Sequence, residues 1–206
     1  MNELRENNQV TVVGEVVSTI DYDHEAYGER FYTLMLSIER TSGTKDVIPV
    51  VISEHLLDFS RDYQGEYLEI KGEFRSFNQH DKTLKVRLYI FALEAELQEG
   101  DIIFPKNNSI VLRGTLFKEP VYRKTPFGRD IADVFIAVNR PFGRSDYIPC
   151  ITWGRNAKMA EKLHTGDRVI LTGRIQSREY KKTLPDGTIE MRTAYEVSAE
   201  MLRREQ

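Results

Sequence analysis

The sequence has little that would support metal binding or catalysis. Its single cysteine, Cys150, excludes an internal disulfide and a cysteine-cluster metal site. No two histidines stand at the spacing of metal ligands, the four being His24, His55, His80 and His164. A phosphate-binding glycine loop and a Gly-x-Ser-x-Gly nucleophile motif are also missing. We therefore predict a protein with no cofactor, no metal and no catalytic residue.

Long apolar runs are missing as well. Hydrophobic residues make up 40% of the 206, enough for a core, but no run is long enough to span a membrane. The first residues show no basic segment followed by an apolar one, so we expect no signal peptide. With one cysteine, this composition predicts a soluble protein of the reducing cytoplasm.

An excess of positive charge is missing from the chain as a whole, whose formal net charge is -3. The two halves nevertheless differ. Residues 1–104 contain 10 Lys/Arg and 20 Asp/Glu, whereas residues 105–206 contain 19 Lys/Arg and 12 Asp/Glu. An acidic half at -10 and a basic half at +7 indicate that the second half has a polyanionic partner.

The two halves are related in sequence. At a constant offset of 100, eight residues recur: Asn8, Gly14, Tyr22, Gly28, Arg40, Asp46, Ile48 and Pro49 match Asn108, Gly114, Tyr122, Gly128, Arg140, Asp146, Ile148 and Pro149. One inserted residue later, Gly65 and Gly72 match Gly166 and Gly173. We interpret the halves as two copies of one unit.

Apolar residues alternate with polar ones, which is typical of half-buried strands. In the second unit we predict strands near 108–117, 130–140, 146–153, 167–178 and 189–199, with a helix over 155–163. The first unit repeats this order, with a shorter helix near 54–62 and a hairpin near 77–82. The acidic residues 21–25 fall in a predicted solvated loop.

This order predicts an all-β protein of two tandem five-stranded OB-fold barrels, each with a helix between strands 3 and 4. We place the units at 1–94 and 108–202, with residues 95–107 as the linker. Such barrels bind oligonucleotides or oligosaccharides on one face.

Aromatic and basic residues share the predicted outer face of the second unit. Alternation places Tyr147 and Trp153 on one side of their strand and Ile148 and Cys150 in the core. Single-stranded nucleic acid needs rings for its bases and cations for its phosphates. The candidate binding residues are Phe142, Tyr147, Trp153, Tyr180, Arg140, Arg155, Arg174, Arg178, Lys181 and Lys182. Alternatively, these are ordinary barrel aromatics and a solvated arginine face.

The segments 108–114, 132–138, 146–154 and 173–178 resemble the bacterial single-stranded DNA-binding protein family. In that family, aromatic residues commonly follow strand two, open and close strand three, and begin the hairpin after strand four. The corresponding positions are Phe142, Tyr147, Trp153 and Tyr180. The resemblance implies an OB-fold that stacks single-stranded DNA and usually assembles as four barrels, hence a homodimer of this chain.

The first unit departs from this pattern. Its counterparts of the four aromatics are Ser42, Val47, Ser53 and Gln79, and Glu73 replaces Arg174. We therefore expect it to serve assembly, not DNA binding, and we interpret Tyr63 and Phe77 as packing residues. The chain also ends without the acidic, apolar tip of housekeeping family members, which favours a specialised role.

Other functions stay open at this point. The chain could be a primosomal or recombination accessory factor whose acidic unit binds a partner protein. A structural or oligosaccharide-binding protein is a second alternative. RNA is not excluded as the ligand, because ring stacking accepts any base.

Overall fold

The structure, a computed structural model, describes residues 6–78 and 86–205, and of Asn78 only the backbone. The first half forms six strands: β1 (Asn8–Val16), β2 (Asp21–Ala26), β3 (Glu29–Glu39), β4 (Lys45–Ser53), β5 (Tyr67–Asn78) and β6 (Val86–Leu97). The second half forms β7 (Asn108–Leu116), β8 (Val121–Lys124), β9 (Asp130–Asn139), β10 (Ser145–Trp153), helix α1 (Arg155–Ala160), β11 (Arg168–Thr183) and β12 (Ile189–Arg204). The fold is thus almost entirely β-structure.

Strand pairing closes into a circuit in each half. In the first half, β1 pairs with β3 and β5, while β4 pairs with β3 and β6, and β5 pairs with β6. The second half repeats the circuit through β7, β9, β10, β12 and β11. The only parallel pairings are β4 with β6 and β10 with β12, among the described strands. Each circuit encloses one side of the strands, where the core lies.

Alternation along the strands fills that core as predicted. Val134, Ile136 and Val138 are buried, and Ile148 and Cys150 are buried opposite the half-exposed Tyr147. The shared glycines have a steric reason. A Cβ atom at Gly114 would lie 2.3 Å from the Ala137 carbonyl oxygen, at the point where β7 turns from β11 to pair with β9.

The two halves join through antiparallel pairing of β1 with β7. Val10 pairs with Ile110, and the pair Asn8–Leu112 on one side is repeated by Val12–Asn108 on the other. Since the copies differ by 100 in number, this register relates them by a two-fold pseudo-axis at Val10 and Ile110. A continuous antiparallel sheet in the order β6-β5-β1-β7-β11-β12 results.

Some predictions about the first unit were wrong. Segment 54–62 forms turns instead of a helix, because the Asp58 carboxylate accepts hydrogen bonds from the Ser60 N–H and hydroxyl and so favours a turn. Residues 21–25 lie on strand β2, not in a loop, and the Thr33 hydroxyl on β3 donates to Asp23. Tyr63 is buried as expected, but Phe77 is 53% exposed and is no packing residue.

Further observations bear on the sequence predictions. Strand β6 extends to Leu97, into the predicted linker. The turn of the predicted 77–82 hairpin and Gln79 fall outside the described residues. No helix in the described part of the chain is long and apolar enough to cross a membrane. Over the same residues, no group of three or more His, Cys, Asp or Glu side chains could hold a metal ion.

Candidate nucleic-acid interface

The outer face of strands β9 and β10 carries a group of aromatic rings. Tyr147 and Trp153, both on β10, are each 39% exposed. The Tyr147 ring meets the Phe117 ring edge to face, with centroids 4.5 Å apart, and more than half of the Phe117 side chain remains exposed. This geometry holds a flat ring at the surface without burying it.

Phe117 and its neighbours were missed by sequence reasoning. The Lys118 ammonium lies 3.6 Å from the centroid of Phe135, which is paired with Pro149 on β10. Strand alternation already contained the signal, because Phe135 falls between the buried Val134 and Ile136 and must point outward. A cation therefore sits directly on this aromatic face.

Phe142 lies on a single 3₁₀ turn, Pro141–Gly143, between β9 and β10. Its side chain is fully exposed, and its backbone is left-handed, with φ of 61°. The following Arg144 is also exposed. The ring thus projects into solvent beside a cation, as the sequence predicts.

The long hairpin of β11 and β12 brings four more predicted residues together. Tyr180 pairs across the hairpin with Arg192 and lies 5.9 Å from the Arg178 guanidinium. Lys181 and Lys182 are exposed nearer the tip. Arg178 is exposed and lies 4.0 Å from the mostly buried Glu196, a long ion pair that leaves the guanidinium accessible to a phosphate. The hairpin therefore presents three exposed predicted cations beside the Tyr180 ring.

Two predicted arginines lie elsewhere. Arg140 Nε is 3.2 Å from Asp146 Oδ2, and the Asp146 side chain is completely buried. Burial raises the pKa of Asp146, although the Ser76 N–H and the charge of Arg140 oppose that rise. Arg140 is therefore an ion-pair residue at the junction of the units, in contrast to the predicted phosphate contact. Arg174 is half-buried and lines a junction cavity of about 250 Å³ together with Ser42 and Glu200.

The last predicted cation, Arg155, is exposed at the start of α1, next to Trp153 in sequence. The second unit thus presents four surface rings at the predicted positions and four surface cations. Those cations are Arg155, Arg178, Lys181 and Lys182.

Comparison with known proteins agrees with this geometry. The model of the family described as "Single-strand binding protein family" matches residues 107–204. The second unit is thus similar to the single-strand binding protein family. That match spans nearly the whole second unit and all ten predicted binding residues.

Curated relatives match about a third of the chain. A single-stranded DNA-binding protein of Oceanobacillus iheyensis is 40% identical over 81 residues, which are 36% of this chain and 50% of that protein. Single-stranded DNA-binding protein A of Bacillus subtilis is 40% identical over 81 residues, 36% of this chain and 47% of that protein. The chain thus spans about half the length of the curated relatives it matches.

A solved structure shares the fold over both units. The wild-type single-stranded DNA binding protein from Thermus aquaticus superposes with a TM-score of 0.77 at 21% sequence identity. The superposition covers 97% of this chain and 93% of that chain. The two chains therefore share an overall fold.

Proposed function

We propose that the chain binds single-stranded DNA without sequence preference, through the outer face and hairpin of its second unit. The observation that carries the proposal is the set of rings at the surface, the exposed Phe142, Tyr147 and Trp153 and the half-buried Tyr180, together with the exposed cations of the same unit. Stacking on such rings contributes about 1 to 3 kcal/mol per base and accepts every base, and the cations neutralise the phosphates.

Both strand circuits fit one fold in this proposal. We assign each to an OB-fold barrel, the first ending with β6 at Leu97 and the second ending with β12 at Arg204, because five strands close in the same order in both. Helix α1 lies between β10 and β11 in the second barrel, and turns take its place in the first. A role in DNA replication, recombination or repair follows from binding the single strands that these processes expose.

The assembly we propose is a homodimer with four barrels, formed by the outer face of the continuous six-stranded sheet. Across β7, β11 and β12, the row Arg113–Ile170–Arg203 carries two arginines. The equivalent row in the first unit, across β1, β5 and β6, is Val13–Glu69–Glu96. Two copies stacked with their units exchanged would place each acidic row against a basic row.

Charge exchange tests this dimer. The natural chain should have twice the 23.9 kDa chain mass under native conditions. Glu96→Arg and Arg203→Glu should each shift the mass toward the monomer, and the chain carrying both should recover the dimer. A monomeric natural chain, or no recovery in the double variant, would contradict the arrangement.

DNA binding is tested by fluorescence, because Trp153 is the single tryptophan. Adding poly-dT at low salt should quench its emission, and the affinity should fall steeply as salt is added. Parallel titration with poly-U compares RNA with DNA. Unchanged emission together with no gel shift would contradict the proposal. In that case, capture of a protein partner that survives nuclease treatment would favour the accessory-factor alternative instead.

A further inference from the structure

Two aromatic residues hold a backbone conformation that aromatic residues rarely adopt. Tyr27 has φ of 55° and Phe142 has φ of 61°, and no other non-glycine residue in the described part of the chain has positive φ. Tyr27 is the first of two turn residues between β2 and β3, since Ala26 pairs with Glu29. Asparagine or glycine is usual at such a position, because a bulky side chain is strained there.

Neither ring contributes to the core in return for this strain. The relative accessibility of Tyr27 is 108% and that of Phe142 is 100%, so both residues are fully exposed. A strained backbone that holds an exposed ring gains nothing for folding. Strain of this kind clusters at functional sites, where the surrounding structure maintains it.

Both rings line one cavity of about 450 Å³ at the junction of the units. Tyr27 comes from the first unit and Phe142 from the second. The remaining lining residues are Arg75, Arg140, Pro141 and Arg144. The cavity therefore combines two exposed rings with three guanidinium groups.

The arginines of this cavity play different parts. Arg140 is paired with the buried Asp146. Arg75 is held by Glu73 at 2.9 Å and lies 3.6 Å over the Phe91 ring, so its planar guanidinium is fixed in place. Arg144 is exposed and makes no ion pair with any described residue. It is the cation available to an incoming phosphate.

We propose that this cavity is a subsite for single-stranded DNA, in which bases stack on Tyr27 and Phe142 while a neighbouring phosphate pairs with Arg144. This inference rests on the proposed function and extends the path of the strand onto the first unit. The negative charge of Glu73, which pairs with Arg75 of this cavity, is already neutralised, because Glu73 is 3% exposed and lies 2.9 Å from Arg75.

A second cavity at the junction of the units supplies a comparison. There Ser42 stands in place of Phe142, and the charged lining residues are Glu39, Arg40, Arg174 and Glu200, with no aromatic ring. The equivalent of Tyr27, Phe127, is 93% exposed but does not line that cavity. The cavity of Tyr27 and Phe142 therefore combines rings with guanidinium groups, whereas this second cavity has guanidinium groups without a ring.

Photocrosslinking of the natural chain tests the subsite. Oligo-dT containing 5-bromodeoxyuridine is irradiated with the chain, and the crosslinked peptides are mapped by mass spectrometry. We expect a crosslink at Tyr27 as well as on the face of the second unit. Quenching of Trp153 with crosslinks confined to that face would overturn the subsite and leave the proposed function standing. No quenching and no crosslink would overturn both.

Substitution gives a second test with a built-in check on folding. Tyr27→Asn suits the left-handed turn, so the midpoint of urea unfolding should stay the same or rise. Its affinity for poly-dT should nevertheless fall about 5- to 150-fold, the equivalent of removing one stacked base. Phe127→Ala, at the matching exposed turn outside the cavity, should leave the affinity unchanged. Natural affinity in Tyr27→Asn would overturn the subsite.

Discussion

Asp146 in the second unit accepts a 2.8 Å hydrogen bond at Oδ1 from the backbone N–H of Ser76 in the first unit. The Ser76 hydroxyl in turn accepts a 2.8 Å hydrogen bond from the backbone N–H of Tyr147. The two-fold copy of this contact joins Asp46 to the N–H of Ser177, also at 2.8 Å. The junction between the units therefore holds the backbone of Tyr147, a proposed stacking residue, in place.

Removing either junction carboxylate should destabilise the fold. Asp46→Ala and Asp146→Ala each leave a half-buried arginine without its partner, a loss of about 3 to 5 kcal/mol in the free energy of unfolding. Asp46→Ala should lower the free energy of unfolding more than Asp146→Ala. The Asp46 carboxylate binds Arg40 through two contacts of 2.6 Å, whereas Arg140 reaches Asp146 through one contact of 3.2 Å.

Urea unfolding followed by circular dichroism measures both losses. Glu25→Ala, on the exposed face of β2, is the control and should change the free energy of unfolding by less than about 0.5 kcal/mol. Equal, small losses in all three variants would show that the buried carboxylates do not stabilise the junction.

The Phe117–Tyr147 pair should act as a unit in DNA binding. Tyr147→Ala removes a stacking ring, and Phe117→Ala releases the Tyr147 ring from its edge-to-face contact. We expect each variant to weaken poly-dT binding. The loss of binding free energy in the double variant should be smaller than the sum of the two single losses. The coupling should be about 0.5 to 1.5 kcal/mol. Strict additivity in titrations of the four chains would show that Phe117 does not position Tyr147.

Period-2 patterning predicted the strands and faces of the second unit closely. Val134, Ile136 and Val138 alternate without interruption, so their burial and the outward direction of Tyr147 follow from strand geometry alone. The helix predicted for 54–62 failed because composition says nothing about Asp58 bonding locally to Ser60. Local side-chain hydrogen bonds compete with helix formation in a way that propensity does not capture.

Fewer residues of the candidate binding surface than of the fold could be predicted from the sequence. The exposure of the aromatic residues on strands could be predicted because each strand has only two faces. The exposure of Phe142 could be predicted from the turn in which it lies. Arg140 could not be assigned, since its partner Asp146 faces the other unit at a junction that depends on the β1–β7 register. The pairing of Tyr27 with Phe142 in one cavity depends on the same register. Contacts between distant segments are set by tertiary structure, which one unit's pattern does not contain.

Cys150 should be chemically inert in the folded chain. Its side chain is 3% exposed, and burial raises the pKa of the thiol far above its ordinary value, so almost no reactive thiolate forms near neutral pH. Ellman's reagent should therefore react with the thiol only after unfolding in urea. A rapid stoichiometric reaction in buffer at pH 8 would contradict the buried position of Cys150.

Salt dependence should separate the cations that meet phosphates from the arginine that holds the junction. Lys181 and Arg155 are exposed, and removing one cation that neutralises a phosphate of single-stranded DNA should reduce the slope of log affinity against log salt by about 0.7. Lys181→Ala and Arg155→Ala should show this reduction with no change in unfolding. Lys45→Ala, an exposed cation of the first unit paired with Glu15, should leave the slope unchanged.

Arg140→Ala should behave in the opposite way. Its guanidinium is bound to the buried Asp146, so the variant should lower the free energy of unfolding by a few kcal/mol. When binding is measured well below its unfolding transition, the variant should keep the natural chain's slope of log affinity against log salt. Every cation that neutralises a phosphate is still present in it. A slope reduced by about 0.7 with unchanged unfolding would instead make Arg140 a phosphate ligand, since counterion release counts only the cations that meet the strand.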